Sequence, residues 1–182
     1  LHPGHLLTAP GAIRTGSGGS YRVFTPFARA LRAHGSDRPV SPPKALELTE
    51  TPDGLDPAAL ELAPDMRGGA DVLARHALPA GEDQAQARLR AFLDSVPGYG
   101  AGRDRPDRDS TSGLSEHLAV GEISPRRIWA EAKPHLDGPA GDDVAKFLSE
   151  LCWRDFAWHL LIEFPQMAAQ PWRAEWREFP WQ

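Results

Sequence analysis

The sequence predicts a mostly α-helical fold, and three observations carry the prediction. Apolar residues recur at i, i+3, i+4 and i+7 in several stretches, the period of one helix face. Glycine and proline cluster between those stretches, where helices end. No apolar/polar alternation of period two persists beyond a few residues, so strands have little support.

The elements follow in order. Residues 1–20 are rich in Gly, Pro, Ser and Thr and read as an irregular linker. Within them TGSGGS (Thr15–Ser20) has the composition of a phosphate loop, but it lacks the GK[ST] ending and no strand precedes it. A helix is predicted over 26–34. Pro26 suits a first turn, Phe27, Ala30 and Leu31 share a face, and Gly35 is a stop. Residues 36–57 hold five of the 18 prolines and read as loop. A short helix fits Asp71–Ala77. The cleanest amphipathic signal is 83–96, where Ala85, Leu89, Phe92, Leu93 and Val96 line one face before Pro97 and Gly98.

Residues 98–108 read as a Gly/Arg/Asp loop. Helices are predicted at 112–119, 124–133 and 143–164, the last closed by Pro165. The tail from Ala168 reads as extended packing. Trp129, Trp158, Trp172, Trp176 and Trp181 read as packing groups.

Bulk properties bound the function. A chain of 182 residues supports one domain of ordinary size, with 41% hydrophobic residues for a core. The formal charge of −5 excludes general attraction to nucleic acid, so such a contact needs a local basic patch. The lone Cys152 excludes an internal disulfide framework and fits a reducing, cytoplasmic location. No apolar run is long enough to cross a membrane, and no signal peptide is visible. Histidine spacing fits no metal site. The chain begins at Leu1 without methionine, consistent with a piece of a longer protein.

Two constellations can carry chemistry. Thr111, Ser112 and Ser115 surround the start of the 112–119 helix. First-turn N–H groups are unpaired and favour an anion, and hydroxyls beside them add donors. A plain N-cap uses the same residue types. Glu150, Trp153 and Arg154 stand at i, i+3 and i+4 on the 143–164 helix, so they project to one side. A partly buried ion pair beside a core tryptophan would look the same.

The order of these pieces resembles the DNA photolyase/cryptochrome family, in particular its bacterial class I type that acts on cyclobutane pyrimidine dimers. The family pattern YxxxRDxPxxxxTSxLSxxLxxGxxSPR is met by Tyr99, Arg103, Asp104, Pro106, Thr111, Ser112, Leu114, Ser115, Leu118, Gly121, Ser124, Pro125 and Arg126. The family's ELxWRxF is met by Glu150, Leu151, Trp153, Arg154 and Phe156, and the entry segment SYRVFTPFARAL (Ser20–Leu31) also resembles it. Gly113 stands where the family often has a larger residue.

The resemblance implies a function and a division of labour. The fold would be the helical FAD-binding domain of photolyase type, incomplete: residues 1–20 an interdomain linker remnant, and 21–182 its N-terminal half. Tyr99, Thr111, Ser112, Leu114, Ser115, Phe147 and Arg154 would bind FAD. Glu150 and Trp153 would act on the damaged base, by hydrogen bonding and by stacking. The parent would be a carbon–carbon lyase repairing cyclobutane pyrimidine dimers by light-driven electron transfer from reduced FAD. A second, antenna chromophore would sit in an N-terminal domain outside this chain. The expected partner is damaged DNA, with no membrane and no second subunit. The alternatives are a flavin blue-light receptor of cryptochrome type, a (6-4) photoproduct substrate, and an inert helical fragment.

Overall fold

The computed structural model describes residues 3–41, 43–45, 54–60 and 68–180. The described residues form seven α-helices: α1 (Phe24–His34), α2 (Gly69–His76), α3 (Glu82–Asp94), α4 (Tyr99–Gly102), α5 (Ser115–Val120), α6 (Pro125–Ala132) and α7 (Gly141–Glu163). Short 3-10 turns cover Pro3–His5, Pro57–Leu60, Lys133–Asp137, Pro165–Ala168 and Ala174–Glu178. The described residues contain no strand, as the missing two-residue alternation predicts. No helix among them is long and apolar enough to cross a membrane.

The chain divides into two compact units. The smaller, Val40–Ala80, holds the Pro57–Leu60 turn and α2, which buries none of its residues. The larger comprises Leu1–Pro39 and Gly81–Gln182.

In the larger unit α7 is the centre. Val144, Phe147, Leu148, Leu151, Cys152, Phe156 and Leu160 recur every three or four residues and are buried together. That spacing draws a broad apolar stripe which only neighbouring helices can cover. α1 covers part of it with Phe27, Ala28 and Leu31. α3 brings Ala85, Leu89, Phe92 and Leu93 to the same core, and α6 brings Ile128, Trp129 and Ala132. Each fully buried Leu or Phe contributes roughly 1.5–3 kcal/mol. The Ser124 side chain caps α6 by accepting from Arg127 N at 3.2 Å, and Pro125 occupies the first turn, where its missing N–H costs nothing.

Three expectations need correction. The 98–108 stretch contains α4, four residues too short for periodicity to reveal. Asp143 in the first turn of α7 fixes it, accepting from Gly98 N at 2.8 Å and Gly100 N at 2.7 Å. Gly98 has φ 87°, the left-handed region that glycine enters at least cost. The tail is not extended throughout, since Ala174–Glu178 forms a 3-10 turn. Packing describes Trp129 and Trp172, whereas Trp158 and Trp176 are exposed and Trp181 lies outside the described residues.

The N-terminal stretch is irregular beyond its first turn, as read. It is nonetheless anchored, because Leu6, Leu7, Thr8 and Ile13 are buried. Thr15–Ser20 closes on itself, Gly18 N donating to Thr15 O at 2.8 Å and Thr15 N to Gly19 O at 2.9 Å. Two of its amides, those of Thr15 and Gly18, are therefore bonded within the segment itself.

Candidate functional site

Four elements and one loop of the larger unit line an open cavity of about 410 Å³. From α7 come Phe147, Glu150, Leu151 and Arg154; from α4 comes Tyr99; from the loop before α5 come Thr111, Ser112, Gly113 and Leu114; Ser115, Leu118 and Ile128 complete the wall. All seven residues expected to hold a cofactor thus line one cavity, together with Glu150.

Helix geometry explains the α7 contribution. Successive residues turn about 100°, so positions 147, 150, 151 and 154 fall on one stripe. Trp153 lies about 100° from Arg154 on the helix wheel and does not line the cavity. Its ring stacks on Phe24 of α1, with centroids 3.4 Å apart and planes 6° from parallel. Its residue surface is still 46% exposed. The expected single face of Glu150, Trp153 and Arg154 is therefore split. The two charged residues look into the cavity, and the indole lies to one side.

The hydroxyl cluster differs in detail from expectation. The helix starts at Ser115 rather than Ser112, and Leu114 is its N-cap. Thr111 and Ser112 belong to a preceding loop, which turns through Gly113 at φ 59°. A Cβ at Gly113 would run into the Arg88 guanidinium, whose Nε donates to Ser112 O at 3.0 Å. Glycine there is a local requirement unless Arg88 moves. The Ser112 hydroxyl accepts from Leu114 N at 3.4 Å. The Thr111 and Ser115 hydroxyls make no hydrogen bond within the described residues, which leaves both for a ligand.

Charge enters the cavity wall from α7, at Glu150 and, one turn later, Arg154. Glu150 pairs with Arg103, and Lys146 stands 3.7 Å away. Arg103 also reaches Asp104 at 3.1 Å and donates to the Tyr99 hydroxyl at 3.3 Å. Burial pushes the Tyr99 phenol above its ordinary value, and the Arg103 cation partly offsets this. Tyr99 therefore stays a neutral donor and ring surface at physiological pH. Arg154 donates to the His5 carbonyl, and burial lowers its pKa from the ordinary value. Aromatic walls are built by Phe147 against Phe92 at 4.6 Å and Tyr99 at 5.9 Å.

Sequence reasoning quoted Arg103 in a motif without giving it a role, and passed over Arg88. Arg103 fixes Glu150, and Arg88 fixes the Ser112–Gly113 turn. Arg103 had a readable signal, standing one turn from Tyr99. Arg88, on α3, had none.

The resulting site has an aromatic and aliphatic wall, free hydroxyls and one half-buried cation, Arg154. Its volume falls within the range of small-molecule and cofactor pockets. It suits a ligand that combines an anionic group with apolar, flat surface.

No family model matches the chain. A deoxyribodipyrimidine photo-lyase of Agrobacterium fabrum is 39% identical over 183 residues, covering 98% of this chain and 38% of the relative. One from Thermus thermophilus is 40% identical over 184 residues, 99% of this chain and 39% of the relative. The Escherichia coli protein of that name is 36% identical over 171 residues, covering 89% of this chain and 34% of its own. Among solved structures, a bacterial class III photolyase from Agrobacterium tumefaciens superposes with a TM-score of 0.86 at 38% identity. That match covers 98% of this chain and 38% of the relative. The chain spans less than two fifths of the length of these relatives. The sequence pointed to the class I type, whereas this solved relative is class III; the family is common to both.

Proposed function

Because the chain belongs to the photolyase/cryptochrome family, we propose that residues 21–182 form the first half of the flavin-binding domain of an enzyme that repairs cyclobutane pyrimidine dimers in DNA by light. The observation that carries this reading is convergence. Seven residues spread over 56 positions, Tyr99 to Arg154, line one cavity with the right chemistry for FAD. Thr111 and Ser115 offer unpaired hydroxyls to a pyrophosphate, and first-turn amides of α5 stand beside them. Arg154 supplies positive charge, while Tyr99, Leu114 and Phe147 supply apolar walls.

Reduced flavin held there would supply the light-driven electron that splits the dimer and would take it back once the dimer has split. The chain's own residues bind and orient. Photolyases are among the enzymes known to extrude their target from the duplex. Glu150, fixed by Arg103, is the hydrogen-bonding partner for an extruded base. Trp153 has one ring face covered by Phe24 and surface left open, the state of a stacking platform awaiting a second ring. An antenna chromophore would belong to a part of the protein outside this chain. The partner is damaged DNA, met as a monomer in the cytoplasm. There the buried Cys152 thiol, pushed up to about 11 by burial, stays protonated and unreactive.

The test is a repair assay with the full-length protein. An oligonucleotide carrying one cyclobutane dimer should be restored under blue light and not in darkness. Flavin binding without dimer repair would favour the receptor alternative, and repair confined to (6-4) photoproducts would replace the substrate.

A further inference from the structure

We propose that Asp155 is a positioning residue for this cavity, acting through a backbone strap at residues 5–8 that orients Arg154. The proposal takes the identity of the ligand, FAD, from the function proposed above; the strap itself rests on separate observations.

Residues 6–8 form no helix or strand, yet their backbone is closely hydrogen-bonded to side chains. Leu7 N donates to both carboxyl oxygens of Asp155, at 3.0 and 3.2 Å, and Thr8 N–H reaches the same group. Arg126 Nε donates to Leu6 O at 2.8 Å. Leu7 O accepts from Asp37 N at 2.9 Å and from the Ser36 hydroxyl at 3.3 Å. The His5 carbonyl accepts from Arg154. Leu6, Leu7 and Thr8 are buried, Leu7 completely. Buried N–H groups need partners, and Asp155 is the partner of two of these.

The geometry links strap to cavity. Asp155 and Arg154 are neighbours on α7, about 100° apart around its axis. Asp155 is buried on the core side and does not line the cavity; Arg154 does. Asp155 thus grips the strap, and about 100° further round α7 the strap presents the His5 carbonyl to Arg154. A guanidinium held in place before the ligand arrives loses less freedom when it meets an anion. Without Asp155, the carbonyl would no longer be fixed, and Arg154 would be ordered only by the ligand.

The experiment uses the full-length protein, with FAD affinity and amide exchange of the 3–10 segment measured on each variant. Asp155→Ala should loosen exchange in that segment at least tenfold and weaken FAD binding five- to fiftyfold. Asp155→Asn, which keeps one acceptor oxygen, should rescue part of both effects. It also carries the test if the alanine variant fails to fold. Arg154→Ala should weaken FAD similarly while leaving the strap protected. Because both act through one contact, the double variant should bind FAD no worse than Arg154→Ala alone. Additive losses, or a loosened strap with unchanged FAD affinity, would overturn the proposal and leave the flavin function standing. A wild-type protein that binds no FAD would remove the flavin function first, and this coupling with it.

Discussion

At the scale of single residues, the pair Trp153 and Phe24 separates substrate reading from cofactor holding. The indole is stacked at 3.4 Å on Phe24, outside the cavity wall. Trp153→Ala in the full-length protein should therefore leave flavin absorbance nearly unchanged. It should weaken binding to dimer-containing DNA by roughly 1–3 kcal/mol, the worth of one base–aromatic stack. Undamaged duplex should bind as before at the same salt, because phosphate contacts supply that background. Full retention of the preference for damaged duplex would leave Trp153 as a packing residue only.

Asp155 makes a pH prediction of definite sign. Burial pushes its carboxyl up to about 7, against the opposing pull of Leu7 and Thr8 N–H groups and of Arg154 and Arg126. Unfolded, it returns to near 3.9. The folded state therefore holds the proton more tightly. Stability from this group is fully present below about pH 4 and is lost as pH rises through 7. Urea titrations of wild type and Asp155→Asn should diverge between pH 5 and 7, with wild type losing up to ~1.4 kcal/mol per pH unit relative to the variant. Parallel profiles would place the folded value near the unfolded one.

At the scale of elements, capping gives the sharpest expectation. Ser124→Ala removes the acceptor for Arg127 N and should cost about 1 kcal/mol, read from the shift in denaturation midpoint. Helix α6 was legible because all its signals agree: Ser124 cap, Pro125 first turn, and an apolar face at Ile128, Trp129 and Ala132. α3 and α7 were legible through their long apolar period. α4 was not, since four residues complete barely one turn, and its order depends on Asp143, 43 residues from Gly100. The start of α5 was read three residues early, because Ser112 and Ser115 carry the same capping chemistry. The left-handed Gly113 between them decides the matter. Trp153 was misplaced relative to the cavity because i, i+3 and i+4 span about 100°, enough to divide a wide face. The strap at residues 5–8 was invisible, as its bonds join positions about 150 residues apart.

At the scale of the whole molecule, the chain matches less than two fifths of its relatives' length, and all seven residues expected to contact a cofactor lie along one cavity wall. A wall is not an enclosure, and a dinucleotide held on one side keeps much of its surface in water. Expressed alone, residues 1–182 should purify colourless and repair nothing under blue light. A stoichiometric yellow protein from this segment would show that one wall suffices.

The central claim is that the cavity between α4, the α5 loop and α7 holds a flavin by its hydroxyl cluster. Flavin content of the full-length protein, wild type against Thr111→Ala/Ser115→Ala, tests it most directly. Each lost charge-assisted hydrogen bond should cost roughly 1.5–3 kcal/mol. The wild type should carry close to one FAD per chain, and the double variant should lose most of it on dialysis while keeping its helical circular dichroism. Equal flavin content in the two proteins would contradict the assignment.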